Sequence, residues 1–532
     1  MKLLRTILLF AGVALAVSCE KDPAGAGAGN DNKPSNNKEI TISPERNKVY
    51  RNPLNGFVLY SGLGNDMTNF WERYEAFQSS NGIVNVCDYA NTLLIRGNWA
   101  QLNPEEGLYI WMDECQTEES KRYKMLVKGA WERGMRVGFG YRMDSRELHE
   151  WATPRYVKEK GARGYETRTG SATVWTPYPD DPVFQQCYEK FIHDFAQHIN
   201  DPQHYEFVHG VGIGKWGEYH ECIYSTGDEK PKIKVFEWVT DLFVKEFTKI
   251  PTFINYHRHV GALKGSGTAN PDSEGMIDSA VQKGMSIGSG AFGMGSYYNS
   301  WEKRIVAKYR YLRPVVAEGG WVKSSHGSAP FDDPNGYETW YDVRKGEYDD
   351  AIDACANMLD LRYNDNPTDS EAYSWFNDAY TLLEQFLQTG TYRLYPQKVS
   401  VPVEISNGDK ISIVHKWVNL GNAYCPTNIP QFDGKYKVAF ALIRATTGKI
   451  EKMFYDEAAR PCDWIKGKIS TYELKTVVSD VAPGTYIWAM GIVDDHSKEK
   501  NIGIVILSNL SHNKKISTTV IGSKMMKELC SN

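Results

Sequence analysis

The 532-residue chain is short of several features, and each absence removes a class of function. Its nine cysteines are irregularly spaced and form no C-x-x-C pair, so a zinc knuckle is not indicated and no disulfide pairing can be assigned. Net charge is −5 with the two signs well mixed, which leaves no basic footprint for nucleic acid. No H-E-x-x-H spacing marks a metalloprotease, and no Cys–His constellation supports a thiol hydrolase. After the first twenty residues, no apolar run is long enough to cross a membrane.

Aromatic residues, by contrast, are plentiful. They make up 13% of the chain, with 15 Trp and 32 Tyr, many in segments that read as loops. Rings on loops suit stacking on the C–H faces of sugars. The N-terminus, MKLLRTILLFAGVALAVSCEKD, has a basic start, an apolar run and small residues before Cys19, the pattern of a secretory signal. Its A-V-S-C ending resembles the lipobox of bacterial lipoproteins, which implies lipidation at Cys19. Glu20 and Asp22 resemble signals for the outer face of Gram-negative cells, so an outer-membrane lipoprotein exposed at the cell surface is expected. Residues 1–18 read as signal peptide and 19–45 as a flexible tether of Gly, Ala, Asn, Pro and Ser.

From Arg51 to about Thr391, eight strand candidates alternate with helical patterns. The strands are GFVLY, TLLIRGNW, RVGFGYRMD, FVHGVGIGKWGE, PTFINY, GMSIGSG, RPVVAEGGW and DLRYN. This alternation predicts an α/β fold, a (β/α)₈ TIM barrel, over residues 46–395. Residues 396–532 turn to two-residue alternation in KVSVPVEIS, KISIVHKWVNLG, KYKVAFALIRA, GTYIWAMGIVDD, IGIVILS and KKISTTVIG. They predict an all-β immunoglobulin-like sandwich in which Trp417 is a core residue. Three long strand–helix connections, 144–181, 257–283 and 322–347, belong to the C-terminal face of the barrel, and Trp151, Trp175, Tyr178, Tyr337 and Trp340 lie on them.

One stretch decides the functional reading. GIGKWGEYHE, Gly212 to Glu221, fits the letters of a dinucleotide loop, G-x-G-x-x-G. A phosphate cradle needs small residues and no nearby negative charge. Lys215, Trp216, Glu218 and Glu221 supply the opposite, and no βαβ unit opens there. The alternative is a strand end that delivers a carboxylic acid. Glu218 closes the fourth strand candidate and Glu318 the seventh, 100 residues apart, near three strand–helix units of about 31 residues each. Two carboxylates facing one another across a barrel mouth are what glycosidic cleavage requires.

At these residues the chain resembles the clan A glycoside hydrolases, specifically galactosidase-like members. W-A-Q-L-N-P-E-E-G-L-Y-I-W, Trp99 to Trp111, is similar to a segment those enzymes carry after strand two, and Arg96 matches an arginine beside their nucleophile. The N-P-L-N-G-F start and the barrel-plus-sandwich layout also resemble lipoproteins of glycan-degrading bacteria. The resemblance implies a retaining hydrolase with Glu318 as nucleophile and Glu218 as acid/base, its pKa raised by burial and the neighbouring carboxylate. Substrate contacts are expected from Arg96, Trp99, Trp216, Tyr219, His220, His257 and Trp321. His209, His220, His257 and His259 cluster near strand ends without a metal-ligand spacing, so no metal and no cofactor is expected, and the partner is a carbohydrate. Two departures stand out: Gly217 holds the place of the family's Asn before the acid/base, and no Trp ends strand eight, where Tyr363 and Asn364 lie. The Gly217 departure motivates the alternative of a non-catalytic glycan-binding lipoprotein on a degenerate barrel.

Overall fold

In the computed structural model, residues 16–18, 36–44, 49–64, 69–146, 151–263, 269–295, 297–320, 335–361, 370–497 and 502–504 are described. Cys19, Trp321, Tyr363, Asn364, the strand candidate KKISTTVIG and parts of the long connections lie outside them. The chain divides into two units, one of residues 54–391 with 429–431, the other of 1–53, 392–428 and 432–532.

The first unit is built on eight parallel strands: β1 (Gly56–Gly62), β2 (Ala90–Asn98), β3 (Arg136–Arg142), β4 (Tyr205–His209), β5 (Thr252–Asn255), β6 (Ser286–Phe292), β7 (Val315–Gly319) and β8 (Met358–Asp360). They close into a barrel when β8 pairs with β1, Met358 opposite Gly56. Strands in such a barrel are covered on both faces, which is why VVAEG in β7 is buried at every position. Helices lie between them, the longest at Pro182–Ile199. That helix starts where it does because Pro182 presets the first turn, while the Asp181 carboxylate accepts the N–H groups of Val183 and Phe184.

Two strand boundaries differ from the sequence reading. β4 ends at His209, so Glu218 stands nine residues beyond it rather than at its end. The glycines at 210, 212, 214 and 217 all take positive φ, which breaks the extended run. β8 begins at Met358 and finishes at the Asp360 where DLRYN starts. The connection after β3 holds a hairpin, Gly164–Thr169 with Ala172–Pro177. There Trp175 is buried and lies 5.9 Å from Trp151, so this pair packs within its own loop.

The second unit is a β-sandwich of two antiparallel sheets. One orders Ile469–Val477, Lys410–Asn419, Leu394–Pro402 and Asn37–Thr41. The other orders Thr485–Asp494, Tyr436–Arg444 and Ile450–Asp456, with Ile502–Ile504 beside Thr485–Asp494; Ala16–Ser18 also pairs with Thr485–Asp494, but it lies in the stretch read as signal peptide and belongs to the sheet only in the uncleaved chain. Asn37–Thr41 corrects the tether reading, because its backbone ladders with Lys398–Pro402. Trp417 is fully buried and stacks on Trp464 at 4.4 Å. Its indole N–H donates to His415 Nδ1 at 2.7 Å, and His415 Nε2 faces Asp456 Oδ2 at 2.7 Å. The seven cysteines among the described residues are buried, and none of them forms a disulfide. No described helix is long and apolar enough to cross a membrane.

Candidate active site

Residues 210–221 form an irregular loop after β4, tied by a bridge between Lys215 and His220. Trp216, Tyr219 and Glu221 join its glycines in the left-handed region, with φ of 58°, 60° and 48°. Non-glycine residues there cost about 1–3 kcal/mol each and persist where surrounding structure holds them. The glycines that spell the letters of a dinucleotide loop serve close packing. A side chain on Gly212 would meet Tyr141 and Tyr188 at 2.6 Å, and one on Gly217 would meet the Tyr141 carbonyl oxygen at 2.4 Å. Asn is therefore sterically excluded at 217.

The loop brings Glu218 over β6, where a Cβ on Gly290 would stand 2.7 Å from Glu218 Oε1. Glu318, one residue from the end of β7, points into the same space, and the following Gly319 N–H donates to Asp360 Oδ1 at 2.8 Å. Arg96 of β2 joins the two acids. Its Nη1 donates to both Glu318 oxygens at 2.9 and 3.1 Å, while Nη2 donates to the Trp216 carbonyl at 3.2 Å and lies 3.7 Å from Glu218 Oε1. One guanidinium thus spans both carboxylates, which cannot be further apart than its fork reaches.

Around them is a cavity of about 360 Å³. Its walls include Tyr60, Arg96, Arg142, Lys215, Trp216, Glu218, His220, Tyr256, His257, Tyr297 and Glu318. Trp216 and Tyr297 are 37% and 49% exposed, large rings presented to solvent at a cavity wall. Among residues singled out from sequence, Arg96, Trp216, Glu218, His220, His257 and Glu318 meet here. Trp99 and Tyr219 do not. Trp99 is fully buried against Tyr188, Phe184 and Phe191, and Tyr219 is fully buried with its hydroxyl donating to the Lys232 carbonyl. Tyr60, Arg142, Lys215, Tyr256 and Tyr297 were missed. Arg142 closes β3 and Tyr60 lies near the end of β1, so attention to every strand end would have found them; nothing local marks Tyr297.

The electrostatics correct one expectation. Burial pushes the Glu218 carboxyl up, but His220, Arg96 and His257 outweigh it and hold the group below its ordinary 4.5. His220 Nε2 stands 3.7 Å from Glu218 Oε2, an ion-pair contact too long for a hydrogen bond. Burial, with His220 nearby, drives the His257 imidazole down to about 3, so it is neutral at pH 7. Its Nδ1 accepts the His259 backbone N–H at 3.1 Å, which places the ring proton on Nε2. That buried Nε2 makes no well-aligned hydrogen bond, though the Glu218 backbone oxygen lies beside the ring as an acceptor.

Glu218, His220 and His257 offer ligand atoms within 4.8 Å of one another. A cation there would need a lone pair on His257 Nε2, where the proton sits, and would compete with Arg96 for Glu218. The trio fits a proton-holding network better than a metal centre. Gly284-Met-Ser-Ile-Gly288 also has the letters G-x-S-x-G of an esterase elbow, which the sequence reading passed over. Ser286 is fully buried at the start of β6, the opposite end of the strand from an exposed turn.

The chain matches no family model and no curated protein sequence. Its structure is similar to the catalytic domain of a β-amylase from Paenibacillus polymyxa, at 8% identity and a TM-score of 0.40 over 63% of this chain and 98% of that one. It is also similar to endo-glycoceramidase II from Rhodococcus sp., at 12% identity and a TM-score of 0.36 over 84% and 99%. A family 5 glycoside hydrolase from Prevotella bryantii aligns at 13% identity and a TM-score of 0.32 over 65% and 99%. Likenesses this distant carry no argument about chemistry, so the function has to be argued from the site.

Proposed function

We propose that this protein is a retaining glycoside hydrolase acting on an oligo- or polysaccharide, with Glu318 as nucleophile and Glu218 as acid/base. The observation that carries the reading is the Arg96 fork across both carboxylates in a cavity walled by exposed rings. Arg96 keeps Glu318 ionised for attack on the anomeric carbon. Glu218 gives a proton to the leaving oxygen and later takes one from water. His257, in the cavity wall with no well-aligned bond from Nε2–H, replaces the missing Asn as a donor to a ring hydroxyl. Trp216 and Tyr297 supply stacking faces.

Glu318→Gln removes the attacking charge and abolishes turnover. Glu218→Gln slows substrates with poor leaving groups by about 10²–10⁴-fold. It spares the first step on activated aryl glycosides, and azide restores the second. Glu221→Gln, whose carboxylate lies 3.4 Å from Lys215, serves as control. Full activity in both glutamate variants would place the chemistry elsewhere. Because Glu218 is held low, kcat/KM falls as pH rises through the carboxylate range.

The low Glu218 also supports a second reading, a glycan-binding protein with an ionised and inactive pair. Binding without cleavage across a glycan panel would establish it. For either reading we propose attachment at the outer membrane through lipid on Cys19; Cys19→Ser releases the protein from the membrane fraction, and persistence there would refute the anchor.

A further inference from the structure

Part of the cavity wall is anchored from outside the cavity. β6 ends at Phe292, and the chain after it carries two wall residues, Met294 and Tyr297. The N–H groups of Tyr297 and Tyr298 both donate to the Met294 carbonyl, at 2.9 and 3.0 Å. This turn gives two neighbouring rings different places. Tyr298 is buried, its hydroxyl donating to Asp353 Oδ2 at 2.9 Å and its ring meeting Phe292 edge-on at 4.7 Å. Tyr297 stands at the wall, half in solvent. Gly293, at the root of the turn, is clamped. Its N–H donates to Asp350 Oδ2 at 2.9 Å, and its carbonyl accepts from the Tyr337 hydroxyl at 2.6 Å and Asn335 Nδ2 at 3.2 Å. Asn335 Oδ1 in turn accepts the Gly295 N–H at 3.1 Å. Gly293 has a φ of 80°, and a Cβ there would lie 2.8 Å from Glu347 Cγ, so glycine is required. Asp350 and Glu347 both belong to the helix Trp340–Asp353.

A stacking ring adds most affinity when it is already in place, because ordering it on binding subtracts from the gain. Half-exposed Tyr297 owes its place to its backbone more than to packing, and that backbone is pinned at Gly293. Asp350 is the charged member of the clamp, and a carboxylate accepting an N–H makes the stronger kind of hydrogen bond. It is not itself part of the wall. We propose that Asp350 is a positioning residue for the substrate: through Gly293 it holds the Tyr297 ring ready for stacking, and so sets affinity for the sugar rather than the rate of its cleavage. Rate is spared because Glu318 is held separately, by Arg96 and by the bond from the Gly319 N–H to Asp360. The inference rests on the glycan reading of the cavity and adds to it a residue that does not touch the sugar.

Calorimetric Kd is measured on the full-length protein with cello-, galacto- and xylo-oligosaccharides, and KM and kcat with those that are cleaved. Asp350→Ala should raise Kd and KM about tenfold, the size of one charge-assisted hydrogen bond, with kcat within about twofold. Asp350→Asn gives up the ion pair with Lys303 at 3.7 Å but keeps an oxygen for Gly293, so it should restore affinity to within about twofold. Tyr297→Ala should cost as much as Asp350→Ala, and the double variant no more than Tyr297→Ala alone, because Asp350 acts through that ring. Melting temperature controls for misfolding. Should Asp350→Ala fail to fold, Tyr337→Phe takes a donor from the Gly293 carbonyl and should raise Kd in the same way. Additive losses in the double variant, a loss that Asp350→Asn does not restore, or a fall in kcat at unchanged KM overturns the inference. If no oligosaccharide binds the wild type, the glycan reading falls separately, and the clamp is read from exchange of the Gly293 and Gly295 amides in the ligand-free protein. Asp350→Ala should speed that exchange about tenfold and Asp350→Asn should not; unchanged exchange in Asp350→Ala overturns the clamp as well.

Discussion

Buried histidines occupy opposite circumstances in the two units. In the sandwich, His415 is fully enclosed, and both ring nitrogens are engaged, one by the Trp417 N–H and the other by Asp456. In the barrel, Nε2 of His209, Nδ1 of His220, Nε2 of His257 and Nδ1 of His259 are buried without a well-aligned hydrogen bond. A poorly satisfied buried polar atom costs up to about 1–3 kcal/mol, and two of these four, on His220 and His257, line the cavity, where sugar hydroxyls would satisfy them. The same residue type is cement in one unit and an open contact in the other.

The sharpest way to break this contrast is to disturb the acid those histidines surround. Gly290→Ala drives a methyl toward Glu218 Oε1, which stands 2.7 Å from the site of its Cβ. Displacement of a reacting group by about 1 Å costs on the order of 100-fold, so kcat should fall that far with little change in melting temperature. Unchanged kcat would mean that Glu218 does not work from this position.

Next in size is the histidine comparison itself. His415→Ala strands the buried Asp456 carboxylate and the Trp417 N–H, and is expected to cost about 3 kcal/mol in denaturant unfolding followed on sandwich signals. His257→Ala removes a donor that makes no well-aligned bond within the protein, so stability should change by less than about 1 kcal/mol while glycan affinity falls. Equal stability losses would erase the distinction between cement and contact.

Acid should separate the units further. His257 is held down to about 3 and His198 to about 4, both by burial. Their unfolded forms bind protons that the folded barrel refuses, so barrel stability is full above pH 6.5 and declines as pH falls toward 4. In the sandwich, burial raises Asp456 but His415 and backbone N–H groups lower it more, leaving it below its ordinary 3.8. Its contribution is present above that value and is lost only as pH falls through the lowered one. Hydrogen exchange read segment by segment at pH 7, 5.5 and 4.5 should show protection lost first in the barrel. The reverse order would contradict the assignment. The smallest effect expected is from chelation: EDTA should change turnover by less than about twofold, and loss restored by a divalent ion would convert Glu218, His220 and His257 into a metal centre.

Much of this was legible in one dimension. Strand–helix alternation announced the barrel because buried parallel strands must be continuous apolar runs joined by amphipathic helices, a pattern that VVAEG and the 182–199 helix carry openly. Glu318 could be placed because it sits inside such a run. Ile469–Val477 went unread because it is mostly exposed and polar, and Asn37–Thr41 because it follows a stretch with the composition of a tether.

What tertiary structure alone decided is where unpatterned residues converge. Trp99 and Trp216 are the same letter near the ends of the second and fourth strand candidates, yet one is sealed among Tyr188, Phe184 and Phe191 while the other faces the cavity. Glu218 owes its place to a loop of left-handed residues rather than to a strand, and its low pKa to His220, Arg96 and His257, which come from three different segments. Periodicity records which way a side chain faces its own element. Distance between elements, and hence electrostatics, appears only after the chain closes.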